Sequence, residues 1–341
     1  MLTTYLLTLT LIHIASCNLP PKVLLNNGIE MPALALGTFL GFQENGVIKS
    51  KDKEVRNAIL SAIDNGYRHI DTAEIYDNEQ EIGEAIKDKI DLGDVKREDM
   101  FITTKLWNTH HRRDQVVPQL RESLQKLDLK YIDLYLMHWP LALNDDYSFS
   151  DVDYLETWRG MEDAYKQGLA KAIGIANFNK EQIERLLNNC EIKPAVMQME
   201  MHPQLIQTEL IEYLRSKNIT AASYSLLGAL VPRSGLELPG PKLDEPVMVS
   251  IGRKYNKTTV QVVLRWAIQK SVVPVIKSFN SIRQAENINI YDFKLEQEDL
   301  DKINQFNSNT RFTLPSFWQN HPHYPFDKIE KPIEDPFVKK T

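Results

Sequence analysis

The feature that most restricts this chain is an alternation running from Leu34 to Ile276. Eight short β-rich runs are separated by amphipathic helical stretches. The runs are Leu34–Gly37, Arg68–Thr72, Met100–Lys105, Ile132–His138, Ala172–Ile175, Ala195–Met199, Thr220–Tyr224 and Val272–Ile276. Between them, Lys53–Asn65, Glu79–Ile90, Arg113–Leu127, Tyr154–Gln167, Lys180–Asn188, Thr208–Lys217 and Thr259–Gln269 place apolar residues at helical spacing. Asp52 and Asn179 sit where helix N-caps are expected, and Gly66 and Gly168 where helices should stop. Neighbouring parallel strands need crossover helices, so this pattern predicts a parallel sheet. Eight units can close into a (β/α)8 barrel, which holds 341 residues in one domain. Lys22–Met31, with Asn27-Gly28 in its middle, reads as a β-hairpin ahead of the first strand. Two further helical segments, Ser281–Asn287 and Glu298–Phe306, precede an irregular tail from Asn307.

A barrel of this kind carries its chemistry at the C-terminal ends of its strands. There the second strand ends in Asp71, with Tyr76 five residues on, the third in Lys105 and the fourth in His138. Alone, each is more readily a cap or a packing group; together they form a proton-donating set. A free tyrosine titrates at about pH 10, and a neighbouring ammonium is expected to lower that value. Asp71 would keep Lys105 charged, and His138 could orient a carbonyl oxygen by a hydrogen bond. Such a set suits a carbonyl receiving a hydride.

The run Gly66-Tyr67-Arg68-His69-Ile70-Asp71-Thr72-Ala73-Glu74-Ile75-Tyr76-Asp77-Asn78-Glu79 closely resembles the signature of the aldo-keto reductases. So do Met31-Pro32, Leu36-Gly37-Thr38, Thr104-Lys105-Leu106-Trp107, Leu136-Met137-His138-Trp139-Pro140, Gly174-Ile175-Ala176-Asn177-Phe178 and Ile276-Lys277-Ser278-Phe279-Asn280, in the family's order from about Val23 to Phe326. The resemblance implies a barrel and hydride transfer from NADPH to an aldehyde or ketone. It implies Tyr76 as the acid, Asp71 and Lys105 as its tuning pair, and His138 as the substrate-orienting group. It also implies Asn177 and Gln198 on the nicotinamide amide, Tyr224 stacked on that ring, and Gly37, Thr38 and Asp71 at its ribose. Lys277, Ser278 and Arg283 match the 2′-phosphate site, and Glu286 and Asn287 the adenine contacts. Ala176 stands where the family usually has serine, at a cost of about one hydrogen bond, roughly 0.5–1.5 kcal/mol.

Within the family the chain resembles insect members of the 3-dehydroecdysone 3β-reductase kind. That implies reduction of a 3-ketosteroid to its 3β-hydroxy form, the alternative being a broad-specificity aldehyde reductase. A non-catalytic, NADPH-binding structural protein on the same fold is the further alternative, and the intact Asp71, Tyr76, Lys105 and His138 argue against it. Phe39, Trp107, Trp139 and Phe312, with Phe317 and Trp318, suit either an aromatic substrate pocket beside His138 or core.

Composition narrows the partners. Net charge is −6, which gives no support to nucleic-acid binding. Two cysteines exclude a disulfide scaffold or a multi-cysteine zinc module. No metal ligand set is expected: His110-His111 and His321-Pro322-His323 read as solvated loop histidines. Tyr213 and Lys217 match a Tyr-x-x-x-Lys pair but sit on a surface helix without a Gly-rich dinucleotide loop. Every Asp, Glu, Lys and Arg follows Cys17. The apolar stretch Tyr5–Ala15 is short of the roughly 20 residues of a membrane span and exits through Ala15-Ser16-Cys17. It reads as a signal peptide over residues 1–17, leaving residues 18–341 as one secreted, monomeric barrel domain. Its start lacks Lys and Arg, which leaves a cytoplasmic protein with an N-terminal extension as the alternative. Sequons at Asn218 and Asn256 fit the secretory route.

Overall fold

The computed structural model describes residues 19–43, 46–232, 238–333 and 336–337. The leader assigned to residues 1–17 lies outside the described residues. The chain opens with an antiparallel hairpin, β1 (Lys22–Leu24) and β2 (Glu30–Pro32), turning at Gly28. β3 (Ala35–Gly37) follows, then a small hairpin of β4 (Phe42–Gln43) and β5 (Gly46–Val47) that the sequence pattern does not announce.

The remaining strands each follow a helix or loop. They are β6 (His69–Asp71), β7 (Phe101–Leu106), β8 (Ile132–Met137), β9 (Ala170–Ala176), β10 (Val196–Glu200), β11 (Thr220–Tyr224) and β12 (Val272–Ile276). With β3 they close into an eight-stranded parallel barrel in the order β3-β6-β7-β8-β9-β10-β11-β12, and β12 pairs back onto β3. The expected (β/α)8 barrel with its N-terminal hairpin is therefore what forms.

Helices wrap the outside: α1 (Glu54–Asp64), α2 (Glu79–Asp91), α3 (Arg113–Lys126), α4 (Tyr154–Lys166), α5 (Lys180–Leu187), α6 (Thr208–Ser216), α7 (Pro246–Tyr255), α8 (Thr259–Gln269), α9 (Ser281–Ile288) and α10 (Gln297–Asn304). Along β8, Tyr135 and Met137 join the strand–helix core, while Leu134 and Leu136 join the barrel interior. That alternation is the two-residue period of a strand buried on both faces. Leu25 and Met31 belong to the interior cluster, so the β1–β2 hairpin plugs the bottom of the barrel. The interior is tight enough that a Cβ on Gly174 would strike the Val196 carbonyl and the Leu136 side chain.

Helix ends follow the sequence in part. Gly66 takes φ 96° and Gly168 φ 70° just beyond α1 and α4, as expected. Asn179 caps α5 reciprocally: it accepts from Gln182 N at 2.8 Å, and Gln182 Oε1 accepts from Asn179 N at 3.1 Å. Asp52 is a correction. It does not cap α1; Lys53 occupies that position with φ 56° and no side-chain cap. The first turn of α1 is served from other elements instead, with Ser50 Oγ accepting from Val55 N and Glu81 Oε2 from Arg56 N. Among the described residues, no helix is long and apolar enough to cross a membrane.

Candidate active site

Asp71, Tyr76, Lys105 and His138 come together at the C-terminal mouth of the barrel. Lys105 is buried, and its Nζ donates to Asp71 Oδ1 at 2.5 Å, to the Thr72 carbonyl at 2.8 Å and to the Tyr76 hydroxyl at 3.4 Å. Asp71's other oxygen accepts from Gln198 Nε2 at 2.7 Å. Since β6 and β10 lie across the barrel from each other, this bond spans its mouth. Tyr76 ends a short 3-10 turn, Glu74–Tyr76, halted by Asp77 at φ 53°. That turn is braced by Thr72 Oγ1 donating to Asn78 Oδ1 at 3.0 Å and Asn78 Nδ2 donating to the Thr38 carbonyl at 2.9 Å.

The electrostatics correct one expectation. Burial pushes the Tyr76 phenol well above its ordinary value, and the nearby Asp71 carboxylate adds to that rise. The expected lowering by Lys105 does not prevail, because loss of water weighs more heavily on an anion than one ammonium shared with Asp71. Burial also lowers Lys105, with Asp71 acting to keep it charged. His138 is driven well below the usual histidine range by burial and then by Lys105, so its ring is neutral at physiological pH. Its Nδ1 is buried with no hydrogen-bond partner among the described residues. The pocket therefore combines a protonated phenol, a paired ammonium and a neutral imidazole whose ring lies 5.8 Å from Tyr76's.

A second cluster flanks the first. Asn177 sits at φ 63°, a left-handed position that Asn tolerates better than most residues. Its Nδ2 donates to the His138 carbonyl at 2.9 Å, and its Oδ1 accepts from Tyr224 OH at 2.6 Å. Thr38 Oγ1 donates to the Asp71 carbonyl at 3.1 Å, and Gly37 pairs with Asp71 in the sheet. The Ala176 methyl is buried in register with Gln198 and offers no hydroxyl.

Beyond β12, Ser278 is buried and shares Oγ contacts with Asn280, which caps α9 by accepting from Arg283 N at 3.0 Å. Lys277 and Arg283 are exposed, and neither forms an ion pair with a described residue. Glu286 is exposed beside buried Asn287 on the same helix. Exposed Lys277 just after β12 and Arg283 in the first turn of α9 fit a phosphate, and the amides of Asn177 and Gln198, with the Tyr224 ring bonded to the first, fit a carboxamide-bearing ring. The residues present thus suit a nicotinamide dinucleotide carrying an extra phosphate.

Aromatic rings cover the site. Phe39 lies 4.8 Å from Tyr76, and Trp107 lies 5.1 Å from His138. Trp318 joins Trp107 and Trp139 at 5.9 and 5.8 Å. Phe312 instead stacks on His202 at 4.8 Å.

Sequence reasoning missed several groups here. Glu74 accepts from Trp107 N at 3.1 Å and pairs with His110, while Glu79 accepts from Thr104 Oγ1 at 2.6 Å. Glu200 is fully buried and receives Phe312 N and Thr313 N at 2.9 and 3.0 Å. A carboxylate closing a buried strand that is apolar but for Gln198 was the available signal for Glu200.

The histidine pairs also need correcting. His111 and His321 are buried, not solvated, and burial pushes His111 down to about 3. Among the described residues no cluster could hold a metal. Tyr213 and Lys217 keep to the surface helix, where the ammonium lies 5.4 Å from the ring.

Comparison with known proteins places these features together. The family model described as "Aldo/keto reductase family" matches residues 33–308. Aldo-keto reductase AKR2E4 of Bombyx mori is 45% identical over 307 residues, covering 89% of this chain and 98% of the relative. Its crystal structure in complex with NADP superposes with a TM-score of 0.86 over 90% of this chain and 99% of that one, at 44% identity. The silkworm enzyme AKR2E5, complexed with NADPH, gives a TM-score of 0.90 at 44% identity over 94% of this chain and 98% of that one. The 3-alpha-hydroxysteroid dehydrogenase of Rattus norvegicus is 40% identical over 319 residues, 89% of this chain and 97% of the relative.

Proposed function

Because the chain belongs to the aldo/keto reductase family and is an NADP(H)-dependent oxidoreductase that reduces carbonyls, we propose that its substrate is a 3-ketosteroid, reduced to the 3β-alcohol. The observation that carries this reading is the pair of rings at the reacting groups, Phe39 beside Tyr76 and Trp107 beside His138, with Trp318 packed behind Trp107. A flat apolar ring system finds stacking surfaces there that a small aldehyde cannot use. The similarity to a 3-alpha-hydroxysteroid dehydrogenase supports the steroid skeleton of the substrate, while the 3β configuration is inferred from the resemblance to insect 3-dehydroecdysone 3β-reductases.

Tyr76 acts as the acid. Its hydroxyl donates a proton to the carbonyl oxygen as the carbonyl carbon is reduced. Lys105, 3.4 Å away, stabilises the phenolate that remains, and Asp71 keeps Lys105 positioned and charged. Neutral His138 orients the carbonyl oxygen. Asn177, Gln198 and Tyr224 would hold the nicotinamide, Gly37, Thr38 and Asp71 its ribose, Lys277, Ser278 and Arg283 the 2′-phosphate, and Glu286 and Asn287 the adenine. When bound, NADPH supplies the hydride.

A panel of 3-ketosteroids and small aldehydes with NADPH tests the substrate. Turnover of a 3-ketosteroid at lower KM than any aldehyde, with the 3β-alcohol as product, is expected. Better use of every small aldehyde would leave a broad aldehyde reductase.

The protein acts as a monomer in the secretory lumen or outside the cell, led there by residues 1–17. Asn218 and Asn256 are exposed, at left-handed positions, the first just before β11 begins and the second just after α7; neither is at the C-terminal strand ends, so a glycan on either would leave the site open. Mass analysis of protein from its native source is expected to find an N-terminus near Asn18; an intact Met1 in the cytosol would refute secretion alone.

A further inference from the structure

The C-terminal segment returns to the barrel mouth. It is guided by the turn around Trp318: Ile329 N donates to Gln319 Oε1 at 2.9 Å, Gln319 Nε2 to the Ile329 carbonyl at 3.1 Å, and Ile333 N to Ser316 Oγ at 2.9 Å. Further along, the Phe337 ring packs among other rings. It lies parallel to Tyr147 at 5.0 Å and to Trp318 at 6.1 Å, tilted to Trp107 at 5.4 Å, and edge-on to Phe42 at 5.5 Å.

Two of these rings belong to different walls of the cleft. Trp107 follows β7 and packs on His138. Phe42 begins the small hairpin after β3 and packs on Phe39 at 5.0 Å, which in turn packs on Tyr76. A ring in contact with both walls lies between them, across the approach to Tyr76 and His138. Its partners are the same flat, apolar faces that a polycyclic substrate would use.

We infer that Phe337 is a built-in occupant of the substrate entrance, a tail residue that competes with large flat substrates and yields to them. The inference rests on reading this cleft as the carbonyl-reducing site. A tethered ring is present at high effective concentration, so it raises the apparent KM of any substrate that must displace it. A small aldehyde, needing only the space at Tyr76 and His138, is little hindered.

The test compares the full chain with Phe337→Ala, Phe337→Trp and a chain ending at Ile333, using NADPH with either androstane-3,17-dione or glyceraldehyde. The ratio of the dione KM to the glyceraldehyde KM should fall about tenfold in Phe337→Ala and in the shortened chain, and rise in Phe337→Trp. A ratio that rises in Phe337→Ala would make Phe337 a wall the substrate needs, and an unchanged ratio would make it a bystander; either overturns the inference. Binding of the dione, read by quenching of Trp107 and Trp318 fluorescence, gives the same comparison without turnover. Should no variant reduce either compound, the reductase assignment fails, while the quenching series still decides whether Phe337 competes.

Discussion

Two layers meet at the mouth of the barrel, and they are held in different ways. The lower layer, Asp71, Tyr76, Lys105, Asn177, Gln198 and Tyr224, stands on strands or on the turns soon after them and is tied by hydrogen bonds, one of which, Gln198 to Asp71, crosses the barrel. The upper layer, Phe39, Phe42, Trp107, Trp139 and Trp318, stands on loops, a short hairpin and a 3-10 turn outside the barrel, and is joined by ring contacts. Even its indoles at Trp107 and Trp318 are buried with no hydrogen-bond partner among the described residues. Directional bonds fix atoms to a fraction of an ångström, as proton transfer requires. Ring contacts fix only a shape, which can change without disturbing the chemistry below.

The largest expected effect lies in the lower layer. Tyr76→Phe keeps the ring and its contact with Phe39 but removes the proton donor. Reduction should fall by about 10²–10⁴-fold, the range of general acid catalysis, while NADPH binding measured by fluorescence titration holds. Retained turnover would break the division between the layers, because the acid would then lie elsewhere.

Acid should weaken both layers through buried neutral histidines. His69, hydrogen-bonded to the Pro32 carbonyl and Thr103 in the barrel wall, is pushed down by burial from 6.5 to about 4. A histidine lowered on folding binds more protons when unfolded, so its contribution is complete above pH 6.5 and is lost as pH falls toward 4. His69 alone should cost about 2 kcal/mol of stability between pH 7.5 and pH 5, and His111 beneath the loops acts in the same direction. Urea unfolding at the two pH values measures this; equal midpoints would contradict the burial of these rings as neutral groups.

A smaller effect separates cofactor choice from either layer. Arg283→Ala should weaken NADPH by roughly tenfold or more through loss of a charge-assisted contact, with little change for NADH. Equal losses for the two would mark Arg283 as an ordinary surface cation.

The lower layer was legible in the sequence and the upper one only partly so. Buried parallel strands read as short apolar runs, and a charged or polar residue ending such a run, as Asp71 and Lys105 do, stands out against it. Tyr76 could be located because it lies only five residues beyond Asp71. Phe39 and Trp107 were also named, but nothing local distinguishes a ring lining a cleft from a ring in a core. Phe42 and Tyr147 gave no signal, since their partners are remote in sequence. Helix α7 escaped because it follows a Pro-rich loop, with only Pro246 at its first turn to announce it. Asp52 misled because a cap-type residue before a helix is informative only if its own backbone is extended, and at φ 51° it is not.

The seam of the barrel bears on how such a chain is made. Ala35 pairs with Val275, so the first strand waits for the last before the sheet can close. At synthesis rates of about 5–20 residues per second, that wait lasts roughly ten seconds to most of a minute. Throughout it, β3 offers an unpaired edge to whatever strand it meets. A nascent chain in this condition depends on its surroundings during production far more than the finished molecule does, and the compartment that receives it must supply that protection first.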